Sequence, residues 1–322
     1  MTAIREATGR DLSEVLRLHV EASALQAGLD PGLSPSSRDE HRISQVFRSM
    51  MRGSDFSVLV REKEGVSGLA GFTLGTIVDN KPLAVSRFGY VGCLSVDGKH
   101  RKQGLGDALW SAVRGWFTRK GLTGAQTDVS LHNRAAQQFW RDRGFEDFLV
   151  HLRRDLEPEL QGTATAACQI RRAAPADVDS ILELWKEMMD IHAAIDERLA
   201  VGPRWSKEVA GSIEEWLRSR DDRLFVADSD LGVIGFALGS VVDTTLGLKP
   251  SRCGHVAHLS VRADMRRRGV GRRLFGELRD WFLTRELASV HLYASHFNPT
   301  SLGFWRSLGF EDYAERRWCN LV

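Results

Sequence analysis

A chain of 322 residues is long enough to bury two cores of ordinary size. Its 43% hydrophobic and 27% charged content excludes a disordered chain. A formal net charge of +2 excludes binding to nucleic acid or a membrane surface driven by overall charge.

The chain opens on Met1-Thr2-Ala3-Ile4-Arg5-Glu6, which has no apolar signal core. No later run approaches the roughly 20 apolar residues of a membrane span, so a cytoplasmic protein is expected. After a first strand, Asp11 is expected to cap a helix carrying Val15 and Leu18, and a second helical stretch covers residues 40–51. Strands are expected at 57–60, 69–78 and 90–96, the last running into Arg101-Lys102-Gln103-Gly104-Leu105-Gly106. Leu105, Leu109, Val113 and Trp116 then lie four, four and three apart, which puts one buried stripe on a helix. A strand at 124–130, a short helix at 135–141 and a last strand after Gly144-Phe145 complete this half. Residues 157–167 are polar and small, without amphipathic period, and read as a linker between domains 1–156 and 168–322.

The same succession then returns. Arg266-Arg267-Arg268-Gly269-Val270-Gly271 repeats the first glycine loop, with Gly104 and Gly269 lying 165 residues apart. Leu94-Ser95-Val96 recurs as Leu259-Ser260-Val261, Trp116-Phe117 as Trp281-Phe282, Asn133 as Asn298, and Phe139-Trp140 as Phe304-Trp305. The domain is duplicated, and the natural architecture is α/β: a mixed sheet flanked by helices, in two copies. The four cysteines, Cys93, Cys168, Cys253 and Cys319, form no C-x-x-C pair, so reduced thiols and no metal are expected.

Glycines at a strand-to-helix turn let backbone N–H groups approach an anion, and the first helical turn adds unsatisfied donors and a positive dipole end. Arg-x-x-Gly-x-Gly therefore reads as a pyrophosphate cradle. A Walker loop is excluded because no Gly-Lys-Ser/Thr follows, and a Rossmann fingerprint because the glycine spacing is wrong.

With these motifs the chain resembles a tandem member of the GNAT superfamily of acetyl-CoA-dependent N-acetyltransferases, over both halves almost end to end. The resemblance implies two GNAT-like domains, each a mixed, mostly antiparallel twisted sheet flanked by helices. It implies acetyl-CoA as cofactor, its pyrophosphate on Arg101, Lys102, Gln103, Gly104, Leu105 and Gly106, and on Arg266, Arg267, Arg268, Gly269, Val270, Gly271 and Arg272. Leu94 and Val96, with Leu259, Ser260 and Val261, would line the pantetheine arm. Asn133 and Asn298 would stand at the pantetheine end, and Trp140 and Trp305, repeated at one offset, are expected to be core or cofactor-packing residues.

Two departures bear on mechanism. Trp140 and Trp305 stand where the family usually has a tyrosine acid, and no carboxylate precedes either loop: the strands read Tyr90-Val91-Gly92-Cys93 and His255-Val256-Ala257-His258. His258 is then the candidate base, with His255 expected on the opposite strand face by alternation. Tyr293 is the candidate acid. Asp30, Asp196 and His192 follow or end the first helices, where an acceptor pocket is expected to form. The C-terminal loop is richer in arginine, whereas Asp107 replaces Arg272 in the N-terminal copy, so the C-terminal half is expected to be the better cofactor site.

The activity expected is acetyl transfer to a small-molecule amine by direct attack on the thioester. The chain is expected to be a monomer with an intrachain pseudo-dimer, or a homodimer, without nucleic-acid or membrane partners. The alternatives are a non-catalytic acyl-CoA-binding regulator and a tandem enzyme resembling mycothiol synthase.

Overall fold

A computed structural model describes residues 3–30, 34–35, 40–158, 168–244 and 248–321. Most of the expected linker, residues 159–167, lies outside them.

The N-terminal half runs β1 (Arg5–Glu6), α1 (Leu12–Leu29), β2 (Ser34–Pro35), α2 (Glu40–Met50), β3 (Phe56–Glu62), β4 (Leu69–Asp79), β5 (Arg87–Val96), α3 (Leu105–Arg119), β6 (Gly124–Ser130), α4 (Arg134–Arg141) and β7 (Glu146–Asp155). The C-terminal half repeats it as β8 (Gln169–Arg172), α5 (Val178–Ile195), α6 (Trp205–Arg218), β9 (Asp222–Ser229), β10 (Gly232–Asp243), β11 (Leu248–Lys249), β12 (Arg252–Val261), α7 (Val270–Thr284), β13 (Ser289–Ser295), α8 (Pro299–Ser307) and β14 (Glu311–Asn320).

One local expectation is corrected. Asp11 does not cap α1 forwards, because a 3-10 turn, Gly9–Asp11, precedes the helix. Its carboxylate turns back instead, accepting from Thr8 N at 2.7 Å and pairing with both Arg5 Nη atoms at 2.8 and 2.9 Å. Asp177 does the same with Ala174 N and Arg171.

Among the described residues, twelve strands form one sheet in the order β1-β3-β4-β5-β6-β14-β7-β13-β12-β10-β9-β8. The two copies therefore share a continuous sheet and exchange their last strands. β14 lies antiparallel between β6 and β7, and β7 lies antiparallel between β14 and β13. Only β5·β6 and β12·β13 are parallel, and each pairs over two residues: Gly89↔Ala125 and Tyr90↔Gln126, then Gly254↔Val290 and His255↔His291. Beyond those pairs the strands part and leave a wedge in each half.

A bulge sits beside each wedge. Leu74 faces Cys93 and Gly75 faces Val91, while Leu238 faces His258 and Gly239 faces Val256, so Gly92 and Ala257 are extra residues. The C-terminal bulge overturns the expected alternation. His258 pairs with Leu238 and His255 with Ser240, and these lie two apart on one strand, so both histidines face the same way.

One face of the sheet packs on α7 and α8 through Leu274, Leu278, Phe282 and Trp305, and on α3 and α4 through Val113, Phe117 and Trp140. The opposite face packs on α1 with α2 and on α5 with α6, through Leu18, Phe47, Ile181 and Ile213. The halves also meet at two loops: β2 pairs with β11, and Leu83 bridges to Val201.

Candidate active site

Both glycine loops have one backbone shape. Lys102 and Gly104 take φ of 58° and 77°, and Arg267 and Gly269 take 63° and 81°. Two left-handed residues thus bracket a third, a geometry that collects N–H groups into an anion-binding concavity. α3 or α7 follows at once, with unpaired leading amides and a positive dipole end. A Cβ on Gly104 would meet nothing within 4 Å, so its backbone angle alone calls for glycine, and Gly269 has the same left-handed angle. At Gly271 the limit is closeness instead, since a Cβ would stand 3.2 Å from the Phe304 ring and press on it.

The arginines divide their work. Arg266 Nε donates to the Val261 carbonyl at 2.8 Å and its Nη2 pairs with Glu187 on α5, so this side chain pins the loop and is not a free phosphate ligand. Arg101 likewise donates to Val96 O at 3.1 Å.

A cleft of about 1670 Å³ opens over the C-terminal copy. Its near end is the loop, with Arg266, Arg267, Gly269, Val270, Gly271 and Arg272; Arg268 is exposed but does not line it. The middle is the wedge, with Leu259, Ser260 and Val261 on one side and Tyr293, Asn298 and Trp305 on the other. The far end lies between α5 and α6 and holds His192 and His258. Residues 79–83, from the link between β4 and β5, close it from the other half.

Several of these side chains already have structural partners. Asn298 Oδ1 caps α8 by accepting from Ser301 N at 3.0 Å, and Asn133 caps α4 through Ala136 N at 3.0 Å. Ser260 Oγ donates to the Leu184 carbonyl at 3.3 Å and ties β12 to α5. Trp305 is a core residue packed between Phe275 and Phe310, and Trp140 is its counterpart between Trp110 and Phe145.

His258 sits among aromatic rings, with Trp216 at 5.7 Å, Trp185 at 6.3 Å and Phe236 at 6.5 Å. Burial pushes its imidazole down to about 4, so it is neutral and keeps a lone pair at neutral pH. Burial lowers His192 as well.

Two expected acceptor residues are not brought to the cleft. Asp196 is buried, caps the turn Glu197–Leu199 and pairs with Arg198 at 2.5 Å. Asp30 is buried 3.7 Å from Arg153, in the seam between the halves. Asp196 is taken up locally by Arg198, two residues on, whereas Asp30 is reached by Arg153 from β7, a tertiary contact with no local sequence signal.

The sequence profile of the acetyltransferase (GNAT) family matches residues 3–145 and again 183–310. The chain belongs to the GNAT acetyltransferase family. It is 30% identical over 157 residues to an uncharacterized protein of Mycobacterium leprae, covering 49% of this chain and 36% of that protein, so it spans only about a third of that relative. Its fold is similar to that of a GCN5-related N-acetyltransferase from Sphaerobacter thermophilus, with TM-score 0.68 at 16% identity over 99% of this chain and 95% of that one. A tandem GNAT protein from the clavulanic acid biosynthesis pathway is similar with TM-score 0.59 at 15% identity, over 100% of this chain and 99% of that one.

The two GNAT copies differ at the loop. In the N-terminal copy Arg143 lies over the Phe139 ring, 3.4 Å from its centroid, and pairs with Asp107 across the first turn of α3. Cys93 stands where the C-terminal copy has His258, and burial pushes its thiol up to about 12.

Tyr293 is not a ready acid. Its hydroxyl donates to Asp128 Oδ2 at 2.8 Å, and burial, then the Asp128 charge, pushes its ionisation well above the ordinary tyrosine value. Sequence reading missed the network around it. Arg316 donates to both Asp128 oxygens at 2.7 and 2.8 Å and lies 3.9 Å from the centre of the Tyr293 ring. Tyr90 donates to the same carboxylate at 3.2 Å, His151 stacks on Tyr293 at 4.5 Å, and His151 and His291 share a 2.9 Å hydrogen bond. Burial alone would raise the Asp128 carboxyl, but the Arg316 guanidinium outweighs it and holds it below the usual range.

Among the described residues one acid–imidazole group converges, Asp147, His296 and Glu315. The Arg317 guanidinium already occupies both of its carboxylates. No helix among the described residues is long and apolar enough to cross a membrane.

Proposed function

We propose that the chain is an acetyl-CoA-dependent N-acetyltransferase acting on the amine of a small molecule. In this reading residues 168–322 carry the working site, and residues 1–156 form a degenerate copy that completes the sheet and one wall of the cleft. The observation that carries it is the continuity of a single cleft from the left-handed loop, through the wedge, to His258 and the α5–α6 walls.

The coenzyme, when bound, supplies a thioester carbonyl for an amine to attack. The loop and first-turn amides of α7 fit a diphosphate, because a concave set of donors at a positive helix end favours two anionic groups. The wedge leaves strand N–H and C=O groups of Leu259–Val261 without a sheet partner on that side, where they suit an amide-bearing arm. His258, neutral and inside the cleft, accepts the amine's proton. Proton supply to the leaving thiolate matters less, since a thiol of pKa about 8.5 forfeits only roughly 2 kcal/mol at pH 7. Tyr293 can therefore stay bonded to Asp128. Positioning within the cleft supplies most of the rate.

Calorimetric titration of acetyl-CoA tests the assignment. Gly269→Val should weaken binding about tenfold or more, because valine resists φ of 81°, while Gly104→Val should leave it within about twofold. Equal losses would overturn the asymmetry, and no binding in the parent protein would overturn the reading. The commitment of the Tyr293 proton favours the second reading, a non-catalytic acyl-CoA binder; that reading requires tight binding with no thiol release across an amine panel.

A further inference from the structure

We infer that the acceptor is a primary amine on a flat apolar body, of the arylalkylamine type, and that the N-terminal half completes its pocket. The inference rests on the acetyl-transfer reading above and adds the acceptor's chemistry.

The far end of the cleft is an aromatic box. Trp185 and Trp216 flank His258, and Trp185 is itself held flat against Trp205, 5.6 Å away at 12°. Met188 and Ile191 extend the apolar wall along α5. Rigid rings and a thioether suit a planar apolar partner through offset stacking and dispersion. They offer few partners to the hydroxyls of an amino sugar, which would each lose a water on entry.

Charge selects in the same direction. The two titratable groups inside the box, His258 and His192, are both kept neutral by burial. Of the carboxylates that line the cleft, Asp79 and Glu215 are exposed at its rim, and Glu208 is half-buried on the first turn of α6. Cations are drawn to the mouth, but a second ammonium of a polyamine would meet apolar wall at depth. A single amine entering the box is pushed toward its free base, because desolvation penalises the ammonium. An uncharged amine beside a neutral imidazole is the pair that direct attack requires.

The wall opposite α5 comes from the first copy. Ala84 N donates to Ala200 O at 2.8 Å and Gly202 N donates to Pro82 O at 2.9 Å, clamping the β4–β5 link onto the segment that joins α5 to α6. The clamp sets Pro82 and Leu83 against the cleft. A pocket with walls from both copies accounts for the retention of an N-terminal copy whose own loop has diverged.

Thiol release from acetyl-CoA by the full-length protein tests this, with 2-phenylethylamine, putrescine and glucosamine as acceptors. The expected kcat/KM for 2-phenylethylamine exceeds the other two by about tenfold or more. Trp216→Ala should raise KM for 2-phenylethylamine and lower that ratio about tenfold, Trp216→Phe should restore most of it, and Leu83→Ser, at a half-buried position on the clamped link, should lower it as well. Melting curves by circular dichroism confirm which variants fold. Equal or better use of putrescine or glucosamine, or a ratio that folded Trp216→Ala and Leu83→Ser both leave unchanged, overturns this inference and leaves acetyl transfer standing. Transfer to no amine overturns both.

Discussion

Four histidines on the inner strands are held neutral by their surroundings. Burial is the first cause for each, and it takes His151 down to about 3 and His255, His258 and His291 to about 4. In the unfolded chain each returns to about 6.5, so below that pH the unfolded state binds more protons than the folded one. Their folded pKa values are depressed, hence the stability they permit is full above about 6.5 and drains as pH falls toward 4. Each histidine adds a slope of about 1.4 kcal/mol per pH unit within that window. Urea midpoints should fall steeply between pH 6.5 and 4.5, and His151→Phe, which keeps a ring on Tyr293, should remove about one histidine's share of the slope. An unchanged slope in that variant would show that His151 takes up its proton without unfolding. At the same scale, His258 was readable only as a candidate base from the absence of a carboxylate, whereas its neutrality comes from burial among Trp185 and Trp216 on other elements.

The exchanged strands are the element on which the two halves depend. Trp318 on β14 packs between Phe88 of the first half and Phe148 of β7, with Arg198 of the second half over its ring. It lies so close to β6 that a Cβ on Gly124 would come within 2.0 Å of the indole. Beside it Arg317, 1% exposed, inserts into the first half and donates to Gln137 Oε1 at 2.8 Å and to Asp147 at 2.8 Å. A buried charge removed from its partners costs several kcal/mol, so this contact fixes which strand enters the gap. Gly124→Val should drive the indole out and lower unfolding free energy by about 1–3 kcal/mol, measured by chemical denaturation. A neutral result would mean that the strand can shift without loss. The helical stripe at Leu105, Leu109, Val113 and Trp116 was readable because period alone defines it, while the strands at 57–60 and 90–96 were placed but run longer, as Phe56–Glu62 and Arg87–Val96. The pairing partner of the last strand was not readable, since β7 and β14 have similar patterns and either could follow β6 locally.

At the scale of the molecule, duplication has produced a pseudo-dimer in one chain, joined by β14 with β7, by β2 with β11, and by the clamp at Leu83 and Val201. Residues 3–158 alone would leave β6 and β7 with open edges facing each other across a missing strand. Expressed by itself, that fragment should therefore aggregate or assemble through strand exchange, and co-expression with residues 159–322 should recover a one-to-one complex in light scattering. A folded, monomeric fragment would refute dependence of the first half on β14. In the proposed reading the covalent link lets the copies drift apart in role, with Asp107 paired to Arg143 beside one loop and the cleft opening over the other.

The amino-acid sequence alone determined that the fold occurs twice, that each copy turns from strand to helix through a glycine loop, and that the family is GNAT. These are local matters: a left-handed angle needs glycine, an amphipathic helix needs its period, and a repeat needs only an offset. Only the tertiary structure decided that the two sheets are one, that a bulge at Ala257 turns His258 and His255 to one face, and that Asp30 and Asp196 serve arginines and not an acceptor. Those outcomes depend on which strands pair and which buried charges find partners, and separations run from two residues at Asp196 and Arg198 to more than a hundred where β14 enters the first half.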